Sequence, residues 1–179
     1  MLNLHFAQAQ HEVRITAVSM VNELNAEYEY GLNRYLGINA FGGYVFAWPF
    51  RDPLDPYKKY GYIGTELRFY PNPKTAIDRF FLGIYSRYLQ GDLYTTIYSY
   101  DENQNLIQEV WRFKKMAFGI TIGSKWMIGE HFNLGYYGSA GRYFNVNYKE
   151  PGNLEEAEGF GLDQNLYDFR LGFFVGYRF

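Results

Sequence analysis

Tyr167-Asp168-Phe169-Arg170-Leu171-Gly172-Phe173-Phe174-Val175-Gly176-Tyr177-Arg178-Phe179 closes the chain, and its alternation decides the fold. Every second residue, starting at Tyr167, is aromatic or aliphatic: Tyr167, Phe169, Leu171, Phe173, Val175, Tyr177, Phe179. The residues between them are Asp168, Arg170, Gly172, Phe174, Gly176 and Arg178, which bring three charges and two glycines. Successive side chains of a strand point to opposite faces, so this segment is a strand with one apolar and one polar side.

The same division recurs upstream. Gly61, Ile63, Thr65, Leu67 and Phe69 alternate with Tyr62, Gly64, Glu66, Arg68 and Tyr70. Met116, Phe118, Ile120, Ile122 and Trp126 alternate with Lys115, Ala117, Gly119, Thr121, Gly123 and Lys125. Residues 26–32, with Glu27 and Glu29 on the polar side, and residues 36–48 and 132–140 behave alike. Weaker runs cover 13–21, with Arg14 and Thr16 on the polar side, and 80–94, with Gly83, Tyr85 and Arg87. Period-two runs separated by turn-rich segments predict an all-β, eight-stranded antiparallel up-and-down barrel. Strands of about 9–11 residues are the length that a bilayer-spanning barrel needs. Connections near 32–35, 71–79 and 128–131 then fall at one end. Those near 22–25, 49–59, 95–110 and 147–164 fall at the other and are mostly longer. An even strand number puts both termini on the short-turn side, which in outer-membrane barrels is the periplasm.

Composition narrows the class. Of 179 residues, 21 % are aromatic, yet the mean hydropathy is −0.35, which suits strands that are apolar on one face and wet on the other. No window approaches the roughly 18 consecutive apolar residues of a membrane-spanning helix, which leaves a barrel open. A net charge of −2 gives no sign of nucleic-acid binding, and the absence of cysteine removes disulfides and thiolate metal sites. Leu2, Leu4 and Phe6 precede Ala7-Gln8-Ala9, a small-x-small pattern like the end of a secretory signal. Residues 1–10 are therefore expected to be the remnant of a signal peptide that begins upstream of Met1, and 11–179 a single barrel domain.

A soluble barrel would use the same alternation with the faces exchanged, so the polar face has to decide the orientation. It is rich in Gly, Ser, Thr and Asn and carries scattered charges of both signs: Glu27, Glu29, Glu66, Arg68, Arg87, Lys115, Asp168 and Arg170. Small residues with paired charges suit the narrow interior of eight strands, where side chains just fill the space. A water-facing surface is normally denser in Lys and Glu. On the apolar face, Trp48, Trp126, Tyr167 and Tyr177 stand at strand ends with aliphatics between, the order of aromatic girdles around a lipid band. The expectation is a transmembrane barrel in the bacterial outer membrane, its eight charged residues forming a closed lumen network that plugs the barrel.

Leu171, Phe173, Val175, Tyr177 and Phe179 resemble the C-terminal assembly signal of bacterial outer-membrane barrels, which implies the barrel-insertion machinery as a partner during assembly. The chain from about Val13 also resembles a family of small Bacteroidota outer-membrane barrels of unknown function. Ala26-Glu27-Tyr28-Glu29-Tyr30-Gly31-Leu32, Arg68-Phe69-Tyr70-Pro71-Asn72-Pro73 and Phe118-Gly119-x-x-x-Gly123-x-Lys125-Trp126 carry that likeness. More distantly it resembles the OmpX and OmpA-type barrels. These resemblances imply location and architecture better than activity, because one barrel hosts many tasks.

No catalytic constellation emerges. Lipid A deacylases and omptin-type proteases resemble this architecture and place a catalytic His at the outer rim, but the histidines here are His5 and His11 near the N-terminus and His131 in a short turn beside Glu130. Geometry must precede pKa in naming a general base, so no enzyme activity, cofactor or metal is expected. The acidic stretch with Glu150, Glu155, Glu156, Glu158 and Asp163 lacks the spacing of a calcium loop. Residues 98–110 are read as a hairpin reaching past the membrane, with a strand edge able to accept a partner strand. The expected role is structural or binding, through outer loops that meet outer-membrane lipid, lipopolysaccharide or a protein. The alternatives are an accessory subunit of a larger outer-membrane secretion, insertion or uptake complex, and a soluble lipocalin-like carrier.

Overall fold

The period-two runs become β1 (His11–Val18), β2 (Glu23–Gly31), β3 (Leu36–Val45), β4 (Tyr57–Phe69), β5 (Arg79–Tyr100), β6 (Leu106–Ile128), β7 (Phe132–Lys149) and β8 (Tyr167–Arg178). The structure, a computed structural model, describes residues 10–18, 23–47, 57–74, 77–100, 106–149 and 166–179, with the backbone alone for 17–18, 95–100, 106–109 and 145–149. Residues 1–9 of the proposed signal remnant (1–10), Trp48 and the acidic stretch 150–163 lie outside the described residues. Each strand pairs antiparallel with its sequence neighbour, and β1 pairs with β8 from Glu12↔Arg178 to Val18↔Gly172, so the sheet closes into an eight-stranded barrel. Closure removes the two exposed sheet edges that an open meander would present. Both described chain ends lie at one end of this barrel, here the proximal end, together with turns 32–35, 70–78 and 129–131.

One expectation needs correction. Strand lengths are not uniform: β5 has 22 residues, β6 has 23 and β7 has 18, against 8 to 13 for the others. The connection expected over 95–110, whose residues 98–110 are also read as a hairpin, is strand up to Tyr100 and again from Leu106, as the hairpin reading has it. Its sequence, Thr-Thr-Ile-Tyr-Ser-Tyr and Leu-Ile-Gln-Glu-Val, has no clean apolar face, so the signal for a half-buried strand fails there although the hairpin pairs. Likewise β2 starts at Glu23 and β4 at Tyr57, inside segments read as loops.

The interior is filled in layers. Inward rings lie opposite glycines in the strand register: Phe41↔Gly64, Tyr62↔Gly43, Tyr85↔Gly119, Phe81↔Gly123, Tyr137↔Gly172 and Phe174↔Gly135. A side chain at Gly135 would land on the Phe174 ring and 2.5 Å from the Ser124 carbonyl oxygen. The glycine is thus the space that the ring occupies. Phe174 is 2 % exposed, so the ring has little room to move aside. Gly135→Val is therefore expected to destabilise the barrel by about 1–3 kcal/mol or to prevent closure. Urea unfolding followed by gel mobility checks this, and unchanged stability would refute the ring-over-glycine account.

Tyr70 and Ile77, in the connection between β4 and β5, turn inward at the proximal end. Ile77 and Tyr70 are fully buried and pack with Phe81, Tyr137 and Phe174, and the Ile77 carbonyl accepts a bond from Arg178 Nη2 at 3.3 Å. The turn therefore caps the lumen with an apolar side chain.

Candidate functional site

Strand pleating sends alternate residues inward, so charges that are distant in sequence meet inside the barrel. Near the proximal end four carboxylates, Glu12, Glu27, Glu29 and Glu66, face four cations, Arg14, Arg68, Lys125 and Arg178. Arg14 is the hub: its guanidinium lies 2.6 Å from Glu29, 3.1 Å from Glu27 and 3.6 Å from Glu12. Arg68 bridges Glu66 at 2.9 Å, Glu27 at 3.3 Å and Glu29 at 3.4 Å. Lys125 reaches Glu12 at 2.7 Å and Glu29 at 3.2 Å, and Arg178 reaches Glu12 at 2.6 Å. Neutral donors complete the carboxylates: Thr16 and Asn39 donate to Glu27, and the Tyr70 hydroxyl donates to Glu29.

Burying one ion strips its water at a penalty of several kcal/mol, which a single partner rarely offsets. Here Glu12, Glu27 and Glu29 each meet two or more cations, and the charges in the cluster balance. The arrangement ties β1, β2, β4, β6 and β8 together from inside. It resembles a stitched core more than a path for ions.

A second cluster lies toward the distal end. Arg87 pairs with Asp168, which also accepts bonds from the Tyr85 hydroxyl at 2.9 Å and the Tyr143 hydroxyl at 3.0 Å. Arg170 sits 4.0 Å from Asp168, and Lys115 lies over the rings of Phe113 and Tyr143. Cations and rings interleave throughout: Arg170 over Tyr85 at 4.4 Å, Arg68 over Phe81 at 4.5 Å, Arg14 over Phe174 and Arg87 over Tyr62 at 4.9 Å. Such contacts add about 0.5–2 kcal/mol where water is excluded.

All eight lumen residues expected from the sequence, Glu27, Glu29, Glu66, Arg68, Arg87, Lys115, Asp168 and Arg170, lie buried inside the barrel. They divide into two clusters instead of one network. Sequence reasoning left out Glu12, Arg14, Lys125 and Arg178, the cations and carboxylate nearest the proximal end, although Arg14, Lys125 and Arg178 stand at polar-face positions of the alternation. It also missed the rings between the charges, which stand at polar-face positions and look misplaced there until the register shows the glycine opposite each one.

The outer face has the opposite character. Ile15, Ile63, Ile84, Ile120, Phe169, Leu171 and Phe173 are each 62–74 % exposed. From Met116 to Ile128 the outward face of β6 spans roughly 30 Å along the barrel axis, taking about 3.3 Å per residue and a tilt near 40°. Rings crowd its borders. Tyr30, Phe69, Phe132, Tyr177 and Phe179 lie toward the proximal end and Tyr44, Tyr88, Phe144 and Tyr167 toward the distal one, with mostly aliphatic side chains between. The residues expected to form an assembly signal, Leu171, Phe173, Val175, Tyr177 and Phe179, all point outward. Phe179 and Tyr177 stack on His11 and His131, at centroid distances of 5.7 and 5.3 Å. Both described histidines therefore sit at the proximal rim. The carrier alternative needs an apolar, hollow interior, and the described interior here is lined by buried charged and polar side chains.

Past the end of β4 a two-stranded sheet of β5 and β6 continues among the described residues, because β7 pairs with β6 only as far as Arg112↔Lys149. β4 joins β5 only up to Tyr57↔Tyr94, so residues 95–100 run about 20 Å farther with β6 as their one partner among the described residues. β8 joins β7 only up to Tyr167↔Arg142, while β7 continues to Lys149. The margins of β5 and β7 that no described strand covers carry backbone donors and acceptors able to pair with an added strand.

The model of a family described as "Protein of unknown function (DUF3575)" matches residues 3–164. No curated protein matches. Among solved structures, a major outer membrane protein from Thermus thermophilus is similar, with 12 % identity and a TM-score of 0.55, covering 96 % of this chain and 100 % of that one. The N-terminal β-barrel domain of Pseudomonas aeruginosa OprF has 10 % identity and a TM-score of 0.45, with 96 % and 100 % covered. Neisserial surface protein A has 10 % identity and a TM-score of 0.41, with 96 % and 94 % covered. At such identities the likeness concerns the fold.

Proposed function

We propose that this chain, which belongs to the DUF3575 family of proteins of unknown function, is an integral barrel of the bacterial outer membrane with a sealed lumen, which binds through its projecting sheet. The observation that carries this reading is the inversion of faces: large apolar side chains cover the outside while ionised groups are buried within. Water would favour the reverse, and only a hydrocarbon surround makes this distribution favourable. The fold shared with an outer membrane protein of Thermus thermophilus supports the same location. Both termini then lie in the periplasm, the projecting sheet stands outside the cell, and Leu171 to Phe179 serve as the signal for the insertion machinery.

The layered interior makes the barrel a poor pore. Fractionation is expected to find the protein in the outer membrane, with a folded band that shifts on heating. Planar bilayers containing it are expected to show no reproducible open state. Recovery in the aqueous fraction without detergent would overturn the location, and steady unitary currents would overturn the seal.

The margins of β5 and β7 that no described strand covers favour a protein partner that adds a strand, including membership in a larger outer-membrane assembly. Stoichiometric recovery of a companion in mild detergent, lost when the hairpin over 95–109 is replaced by a short turn, supports this. Equal recovery with and without the hairpin removes the sheet from the binding role.

A further inference from the structure

At the proximal rim, beside the β6–β7 turn, lies a hollow of about 370 Å³ lined by Lys74, Asp78, Arg79, Lys125, Trp126 and Gly129. We infer that it is a binding site for the phosphodiester headgroup of a phospholipid in the membrane leaflet at that end. The inference rests on the outer-membrane reading above, which makes this the inner leaflet.

Charge is the first argument. Lys125 is fully buried and its ammonium is already held by Glu12 and Glu29. The Asp78 carboxylate accepts the Lys74 backbone N–H at 2.6 Å. Lys74 and Arg79 are exposed, and neither joins a carboxylate among the described residues; Glu130, on the adjoining turn, does not line the hollow. Two cations therefore converge on a recess that contains a single carboxylate, and a small anion would complete the charge.

Position is the second. Trp126, on the recess wall, is 52 % exposed on the outer face, and Phe80 and Ile128 beside it are 41 % and 53 % exposed. An anion held by Lys74 and Arg79 thus has a continuous apolar surface next to it on the side where acyl chains lie. Trp at the boundary marks the headgroup level. A free phosphate would use the cations but gain nothing from that surface.

Backbone geometry is the third. Arg79 has a φ of +68°, and no other non-glycine among the described residues is positive. Left-handed backbone disfavours an L side chain. A residue with no role beyond the turn would be better replaced by glycine there, whereas a headgroup ligand explains the arginine.

The test uses the folded protein in vesicles of phosphatidylcholine with a minor share of phosphatidylglycerol, followed by gentle extraction and native mass spectrometry of retained lipid. Wild type is expected to retain phosphatidylglycerol above its share. The pair Lys74→Gln and Arg79→Gln should reduce that preference about tenfold or more, since two charge-assisted contacts are lost. Arg34→Gln, which removes an exposed cation from the neighbouring proximal turn, should leave it unchanged. Arg79→Gly should raise the unfolding midpoint while losing the lipid, a combination that a purely structural arginine would not give. Equal retention in all variants overturns the site. Binding of inorganic phosphate in detergent as tight as that of the lipid overturns the assignment to a headgroup. Heat-modifiable mobility of the same samples reports on the barrel itself, so failure of the site and failure of the membrane reading are told apart.

Discussion

Ile120→Arg is expected to lower the stability of the barrel in lipid by about 2–4 kcal/mol, the range for arginine at mid-depth on the lipid face of an outer-membrane barrel. Ile120 is 66 % exposed, and its register neighbours Ile84 and Ala140 point the same way. In a water-soluble barrel the same change would put a charge at an exposed position and alter stability by no more than about 0.5 kcal/mol. The two settings therefore differ in magnitude by several-fold at one position. Urea titration in vesicles, read by the folded gel band, measures it. A neutral result would mean that the outer face of β6 does not meet hydrocarbon, and the location would fall with it.

Arg14→Met should be at least as damaging, for the opposite reason. Arg14 is fully buried, lies within 3.6 Å of Glu12, Glu27 and Glu29, and donates to Asn39 at 3.0 Å. Methionine fills a similar space but removes the hub cation and leaves the proximal cluster with an excess carboxylate. Breaking one side of a buried ion pair typically costs about 3–5 kcal/mol. The loss should shrink when Glu29→Gln is added, because the cluster returns to neutrality with Tyr70 and Lys125 still placed to bond the amide. A double-mutant cycle in urea checks this. If the two losses simply added, the charges would be acting independently and the stitched-core account would be wrong.

These two changes probe the two faces of one strand pattern, and the chain shows how unevenly a sequence reveals such a pattern. The faces of β2, β4, β6 and β8 were legible because each side chain's direction depends only on its position along its own strand. Glu66, Arg68, Asp168 and Arg170 could be placed inside from alternation alone. Their partners could not. Glu29 meets Lys125 across 96 positions of sequence, and Arg178 meets Glu12 across 166. Such meetings depend on the stagger between strands and on closure of β1 with β8, which no local period encodes. The same holds for Phe174 and Gly135, each odd on a polar face until the register sets one over the other.

By itself, then, the sequence determined an all-β meander with one apolar face, its approximate strand count and the inward charges, because pleating is a local property of the backbone. The tertiary structure alone decided that those charges form two clusters separated by rings, that Ile77 caps one end, and that β7 outruns its pairing with β8. Each of these depends on which strands lie side by side and how far they are shifted. That is set by the joint packing of the closed sheet, and no single strand carries the information.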